Sequence, residues 1–465
     1  MDKHLVVTKK INTFALAKTK QTNGTLADRL GNGLQNRVEQ FDSARYLNEK
    51  RNVQSSISLF SFIHTSINSF VYENHNQRLH KSQSKTMKKP LHIIIYIPII
   101  YIASLLLHSC ANTTTSNNDN ADGDTIVFKY AEHITAVRHN DYIEVTLSNP
   151  WKPQTTLHRY ALVSRSDSGK VVPPSDCTTI YTPIRRAVVS TSPHCRLLFD
   201  LGAGNTVKGV CDLAYITQQE VRKLAAKGVI TDCGNSMSPT MERIISISPD
   251  AIFMSPFEGC SYAQLENLGT PIVECADYME TSALGRAEWM RFYAMLTDKE
   301  ATVDSLFSVI ESRYKAVAKH SKAQKNHPKV ITERVTNGVW YCPGGNSSMA
   351  KVIEDAGGNY VFANDKHSGS LNLSPEIVIN KATNTDVWLF VYYGNQPLKR
   401  SELLAEYGGY KLIKAFQRGN IYECNGKNSS YFEEISFRPD LLLDELSNIF
   451  HSKSPNQRYY KRISE

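Results

Sequence analysis

The sequence lacks the short motifs that mark several common enzymes and metal sites. None of its nine cysteines forms a Cys-x-x-Cys pair, so the ligand spacing of a zinc ribbon is absent. No Gly-x-Ser-x-Gly segment occurs, although an α/β-hydrolase needs one to present its serine nucleophile. The GGNSS segment at 344–348 is not followed by the Lys-Ser/Thr of a phosphate-binding loop. These absences argue against a zinc ribbon, a serine hydrolase and a P-loop enzyme.

A nucleic-acid footprint is also lacking, although the formal net charge of the chain is +8. The charge is unevenly distributed, because residues 1–86 carry +7 and residues 110–465 carry −1. A duplex-binding protein needs a basic face on its folded body, and residues 110–465 contain no basic cluster that supplies one. We therefore expect no nucleic-acid partner.

Residues 87–110, MKKPLHIIIYIPIIYIASLLLHSC, have the layout of a secretory signal. Two lysines precede a long apolar run, and the run ends at Cys110. The ending resembles a bacterial lipobox, in which the cysteine is lipidated and becomes the first residue, although His108 is an unusual occupant of its position. The alternative is an uncleaved anchor, because the run approaches the ~20 residues that span a bilayer. We predict a lipoprotein signal at 87–109, lipidation of Cys110 and residence in the periplasm, with the lipid as the only membrane attachment.

A signal of this kind should begin a chain, yet 86 residues precede it. We expect residues 1–86 to be an upstream extension from a misplaced start site, with translation beginning at Met87; the alternative is a genuine cytoplasmic extension. Residues 110–124 are small and polar and predict a flexible tether. The eight cysteines after Cys110 could pair as disulfides in an exported protein or be buried as small apolar residues.

The pattern after residue 124 predicts an α/β fold. Alternating apolar residues first indicate short antiparallel strands. Apolar β-branched runs then alternate with amphipathic helices, which is typical of a parallel sheet covered on both faces. We predict two Rossmann-like lobes with parallel sheets, joined by a long rigid α-helix, plus a small N-terminal β unit. The predicted boundaries are a β unit at 125–182, an N-terminal lobe at 183–283, connecting helices at 284–322, a C-terminal lobe at 323–451 and a tail at 452–465.

Five segments in this region resemble one family. RRAVVSTSPHCRLLFDLGAGNTVKGV and SPTMERIISISPDAIFM resemble the two signatures of the first lobe in class III periplasmic binding proteins of ABC importers. GGNSSMAKVIEDAGGNYVFAN and LSPEIVINKATNTDVWLF resemble the matching pair of the second lobe, and RPDLLLDEL fits the last helix. The segments occur in the family's order over roughly residues 185–450.

The resemblance implies a binding protein rather than an enzyme. Such a protein captures cobalamin, haem or a ferric siderophore in the cleft between its lobes and delivers it to a permease dimer with its ATPase. We therefore expect a monomer without a cofactor of its own, whose ligand carries iron or cobalt. Bare-metal binding is disfavoured, because the histidines do not converge with carboxylates along the sequence.

The ligand cleft is expected beyond the carboxyl ends of the strands. Flat macrocycles and catecholates need large apolar walls with few polar anchors. Each aromatic candidate could instead be a core residue, His194 could be a packing histidine, and Arg286 could form an ion pair with Glu288 or another acid. The predicted ligand-binding residues are His194, Tyr215, Phe257, Arg286, Trp340, Tyr341, Tyr392, Tyr393 and Tyr431.

Glu242 and Glu376 occupy matching segments of the two lobes. The resemblance implies that both lie on the outer surface and pair with arginines of the permease, although the helix dipole also favours carboxylates near a helix start. The alternative function is an enzyme, a metal chelatase on the same fold. It would need a histidine–glutamate pair in the cleft, for which the sequence offers His194 with Glu258 or Glu433.

Overall fold

The computed structural model describes residues 123–262, 264–451 and 457–464. The predicted upstream extension, the signal, Cys110 and nearly all of the tether lie outside these residues. Among the residues described, no helix is long and apolar enough to cross a membrane.

A five-stranded sheet opens the described chain. Its order is β1-β2-β3-β4-β5, and all pairs are antiparallel except β4 with β5. In β3 alternate residues are buried, as expected for a sheet with one face against a core. The predicted small β unit is therefore confirmed. The strands are β1 Asp124–Ile126, β2 Ile134–Arg138, β3 Tyr142–Ser148, β4 Thr156–Ser164 and β5 Thr178–Thr182.

The N-terminal lobe is built on a parallel sheet of order β12-β11-β6-β7-β8. Its central strands are buried over their whole length, because helices cover both faces. The strands are β6 Ala187–Val189, β7 Val207–Val210, β8 Thr231–Asp232, β11 Ala251–Met254 and β12 Ile272–Glu274, with a small hairpin of β9 Gly234–Asn235 and β10 Ser238–Pro239. The helices are α1 Ser192–Asp200, α2 Gln219–Ala226 and α3 Met241–Ile247.

Three consecutive helices connect the lobes: α4 Ala283–Glu288, α5 Met290–Thr297 and α6 Glu300–Lys322. The 23 residues of α6 give a length of ~35 Å. Its buried residues Val303, Phe307, Ile310 and Tyr314 recur at intervals of three or four, so one face packs against the body. The predicted long connecting helix is thus confirmed.

The C-terminal lobe repeats the plan, with a sheet of order β16-β13-β18-β19-β20 that is parallel apart from the last pair. A second sheet, β14-β15-β17, is antiparallel. The strands are β13 Lys329–Thr332, β14 Val335–Thr336, β15 Val339–Pro343, β16 Asn359–Tyr360, β17 Ser370–Leu373, β18 Val387–Tyr392, β19 Ile421–Asn425 and β20 Lys461–Arg462. The helices are α7 Ser348–Asp355, α8 Pro375–Ala382, α9 Arg400–Glu406, α10 Lys414–Gln417, α11 Tyr431–Glu434 and α12 Pro439–His451.

Two buried glutamates attach the β unit to the connecting helices. Glu288 on α4 accepts the backbone N–H groups of residues 129, 130 and 131 at 2.9, 2.7 and 3.0 Å. Glu280 accepts those of residues 132 and 133, at 3.0 and 2.9 Å, and the indole N–H of Trp289 at 2.8 Å. Buried carboxylates are stable only when they are hydrogen-bonded in this way, so these bonds fix the loop at 129–133 to the segment 280–288.

Candidate ligand cleft

The strand ends of the two sheets define the candidate ligand cleft. In open α/β sheets the ligand lies beyond the carboxyl ends of the strands. Here these ends belong to β6, β7, β11 and β12 in one lobe and to β13, β18 and β19 in the other. The residues that follow them are therefore the candidates for ligand contact.

An aromatic pair joins the two lobes at this cleft. The rings of Tyr215 and Tyr393 meet edge to face, with centroids 5.1 Å apart. The hydroxyl of Tyr393 also donates a long hydrogen bond of 3.4 Å to the carbonyl of Ala214. Both tyrosines are half-buried. The structure thus brings together two predicted residues that lie 178 positions apart in the sequence.

A carboxylate of the C-terminal lobe caps a helix of the N-terminal lobe. Glu433, on α11, accepts the backbone N–H groups of Thr217 and Gln218 and the hydroxyl of Thr217. The hydroxyl bond is 2.6 Å and the Gln218 bond is 3.2 Å. Gln218 is the N-cap of α2, where a negative charge is favoured by the helix dipole. We call this set of bonds the interlobe latch.

A second ionic contact crosses between the lobes beside the latch. Arg196 on α1 lies 3.4 Å from the carboxylate of Glu434 on α11. Glu434 also pairs with Arg458 at 2.8 Å and accepts the hydroxyl of Tyr459 at 2.7 Å. The residue is buried, so these donors satisfy a carboxylate that would otherwise be costly to desolvate.

His194 belongs to a buried polar network. Its Nε2 lies 2.8 Å from Asp277 Oδ1 and 3.0 Å from the Tyr293 hydroxyl. Its Nδ1 lies 2.5 Å from the hydroxyl of Thr191, and its ring packs edge-on against Phe437 of the other lobe at 5.4 Å. With 3% of its surface exposed, His194 is buried, and both of its ring nitrogens have hydrogen-bond partners within the protein.

Arg286 completes the same network. Its Nε donates to Asp277 Oδ2 at 3.2 Å. Burial by itself would raise the pKa of Asp277, but His194 and Arg286 outweigh it and hold the pKa below its ordinary value. Arg286 thus forms its ion pair with Asp277, and the sequence contains no local signal that joins these two residues.

Three predicted aromatic residues lie in the core of the C-terminal lobe. Trp340 is fully buried, donates its indole N–H to the carbonyl of Thr332 at 3.0 Å and packs against Trp388 at 5.9 Å. Tyr392 and Tyr431 are each 4% exposed. In this conformation Trp340 has no exposed surface. Phe257, three residues after β11, and Tyr341, in the middle of β15, are half-buried.

The two predicted docking glutamates occupy equivalent and exposed positions. Glu242 lies in the first turn of α3 and Glu376 in the first turn of α8. Beside them Ile245 is 55% and Ile377 is 50% exposed. Hydrogen bonds from the backbone N–H of Glu376 and the Ser374 hydroxyl lower the pKa of Glu376. Each lobe therefore presents a carboxylate next to an apolar side chain.

The described residues form no metal-binding cluster, and their cysteines are free thiols. Within residues 123–262, 264–451 and 457–464, no group of three histidine, cysteine or acidic side chains converges to hold a metal ion. The eight cysteines described are all free thiols, and six of them are buried. The burial of these six is what the alternative of small apolar residues predicts.

Comparison with known proteins identifies the class to which this fold and cleft belong. The family model of periplasmic binding proteins matches residues 188–427, which is half of the chain. The chain belongs to the periplasmic binding protein family, whose members bind substrates rather than convert them. The predicted family is confirmed.

Individual relatives are distant. An uncharacterized lipoprotein of Methanocaldococcus jannaschii is 26% identical over 354 residues, which cover 71% of this chain and 83% of the relative. A second uncharacterized lipoprotein of that organism is 24% identical over 259 residues, covering 53% of this chain and 66% of the relative.

Solved structures also resemble the chain. The periplasmic vitamin B12 binding protein of Vibrio cholerae has a TM-score of 0.43 at 14% identity, covering 58% of this chain and 97% of that protein. A periplasmic heme-binding protein from Roseiflexus sp. RS-1 has a TM-score of 0.43 at 19% identity, covering 57% of this chain and 98% of that protein.

Proposed function

We propose that this protein captures a metal chelate in the cleft between its lobes and delivers it to an ABC-type import permease. The chelate is a corrinoid, a haem or a ferric siderophore, and it brings its own iron or cobalt. The protein acts outside the cytoplasm, anchored through a lipid on Cys110. The names of its lipoprotein relatives support this location.

The meeting of Tyr215 and Tyr393 is the observation that carries the proposal. Tyr393 directly follows β18 of the C-terminal lobe, Tyr215 lies on the turn after β7 of the N-terminal lobe, and the two rings are in direct contact. When the two rings separate, a flat chelate between the lobes contacts an aromatic surface on both sides, and such surfaces bind macrocycles through large apolar contact areas. Phe257 and Tyr341, both half-buried, are further candidates for these walls.

A chelatase would need His194 and a glutamate such as Glu433 to be available in the cleft, and in this arrangement both residues have partners within the protein. His194 bonds to Asp277 and is buried, whereas Glu433 is engaged in the interlobe latch. A general acid or base must reach the group whose proton it transfers. The arrangement therefore favours binding without conversion.

Ligand titration tests the proposal. Cyanocobalamin, haem and several ferric siderophores are added to the purified protein, and the fluorescence of its four tryptophans is followed. We expect saturable quenching by one class of chelate, which is recovered unchanged after release. Failure of every chelate to bind, or catalytic release of the metal, would contradict the proposal.

Charge reversal at the docking helices tests delivery separately. The double variant Glu242→Arg and Glu376→Arg should abolish uptake, because removing one partner of a desolvated ion pair costs ~2–5 kcal/mol. Ligand affinity should stay within about twofold, since both side chains are exposed outside the cleft. Asp141→Arg with Glu354→Arg, two exposed acids on other elements, is the matched control. Normal transport by the docking variant would refute the assigned role.

A further inference from the structure

Glu333 lies at the point of the C-terminal sheet where the chain connections change direction. It directly follows β13, which pairs with β16 on one side and with β18 on the other. The chain runs from β13 to β16 and then crosses to β18, so the crevice between β13 and β18 is the topological switch point of this lobe. Ligands of open α/β sheets bind at such crevices.

The backbone of Glu333 is held in an unusual conformation. Its φ angle is +60°, in the left-handed region that a residue with a side chain rarely adopts. Its N–H donates to the carbonyl of Leu389 at 2.8 Å, and its own carbonyl accepts the indole N–H of Trp388 at 2.7 Å. Residues with a strained backbone that is fixed by neighbouring hydrogen bonds are frequent at ligand sites, where the strain orients a side chain toward the ligand.

The carboxylate of Glu333 is poorly satisfied by the protein. Within the part of the chain that the structure describes, its hydrogen bond comes from the Val391 N–H at 3.5 Å, which is long. The neighbouring guanidinium of Arg334 pairs instead with Glu406. Burial raises the pKa of Glu333 to about 7, yet the residue keeps part of its surface accessible. A recessed carboxylate with so few donors has room to accept donors from a ligand.

We propose that Glu333 is a specificity-determining residue of the cleft, and that its carboxylate accepts hydrogen bonds from an amide or ammonium group of the bound chelate. The proposal rests on the function proposed above, namely that a chelate binds between the lobes. It narrows the ligand class, because an ammonium or amide donor stabilises the ionised form of this carboxylate, whereas that form repels ligands that carry carboxylates or a net negative charge. A corrinoid with amide side chains or a hydroxamate chelate with an ammonium group fits, whereas haem with its two propionates does not.

Two variants of Glu333 separate its contact with the ligand from its part in folding. Glu333→Gln keeps the size of the side chain and removes its charge. Glu333→Gly removes the side chain and the steric strain, since glycine has no Cβ to clash at a φ of +60°. The glycine variant should thus remain folded, which thermal unfolding checks. Glu445→Gln is the matched control: burial also raises the pKa of Glu445 to about 7, but its carboxylate is engaged by the N–H groups of Tyr459 and Tyr460.

Calorimetric titration with cyanocobalamin, ferrioxamine B and haem reads out the result. We expect the wild type to bind cyanocobalamin or ferrioxamine B more tightly than haem. Glu333→Gly should weaken the preferred chelate about tenfold or more, as the loss of a hydrogen bond to a charged group does. Glu333→Gln should reduce the discrimination against haem, and Glu445→Gln should leave the order of affinities unchanged.

The outcomes distinguish this inference from the function on which it rests. If the wild type binds neither these three chelates nor any other ferric siderophore, the proposed function fails and the inference fails with it; if it binds only an anionic siderophore, the inference alone is overturned. If the wild type binds one of them but prefers haem, the inference alone is overturned. It is also overturned if both Glu333 variants keep the wild-type affinities within about twofold.

Discussion

The interlobe latch offers the sharpest test of how the two lobes are held together. Glu433 accepts three hydrogen bonds from Thr217 and Gln218, and it is 3% exposed. When the lobes separate, water replaces these bonds, so only the net gain of each bond counts. A hydrogen bond to a charged group contributes roughly 1.5–3 kcal/mol net, and neighbouring bonds do not add fully. We expect Glu433→Ala to shift the ligand-free protein toward the open state by about 2 kcal/mol, or roughly 30-fold.

Amide hydrogen exchange measures this shift where it arises. The N–H groups of Thr217 and Gln218 should lose protection in Glu433→Ala, and small-angle X-ray scattering should show a larger radius of gyration. Glu376→Ala, which alters an exposed glutamate of the same lobe, is the control and should change neither quantity. If Glu433→Ala exchanges at residues 217 and 218 like the wild type, the latch does not hold the lobes together.

Two further predictions concern glutamates of the N-terminal lobe and the connecting helices. Glu288→Gln should lower the free energy of unfolding by roughly 2 kcal/mol in chemical denaturation, because the carboxylate that accepts three backbone N–H groups is lost. The control is Asp304→Asn, which changes an exposed ion-pair partner of Arg291. An effect of Glu288→Gln no larger than that of the control would contradict the role of Glu288. Burial raises the pKa of Glu274 from 4.5 to about 7, so the folded state binds more protons than the unfolded state between these values and stability falls as the pH rises through them. Glu274→Gln should therefore flatten the dependence of the melting temperature on pH between about 5 and 7, and an unchanged slope would refute the assignment.

The fold was predictable because its signals are local. Buried parallel strands require continuous apolar β-branched runs, as in β6 and β18, and the spacing of apolar residues in α6 requires a helix. The connecting helix is observed at Glu300–Lys322, where the sequence pattern predicts it. Apolar runs and apolar spacing involve residues that are close together in the chain, so a single sequence is enough to recognise them.

The site was less predictable because its contacts are remote in sequence. Glu433 meets Thr217 across 216 positions, and the sequence offered Glu433 only as a partner for His194. Trp340 does precede a turn, but alternation in β15 directs it into the core rather than toward the cleft. For Glu333 the informative quantity is a backbone angle, which the residue types around it do not encode.

The buried free thiols allow the unfolding of each lobe to be followed separately. Cys195, Cys211, Cys233 and Cys275 are buried in the N-terminal lobe, and Cys342 and Cys424 in the C-terminal lobe. Burial raises the pKa of Cys195 and Cys424 to about 12, so the reactive thiolate is scarce while the protein is folded. An alkylating reagent followed by peptide mass mapping would then show which lobe opens first, without any engineered label.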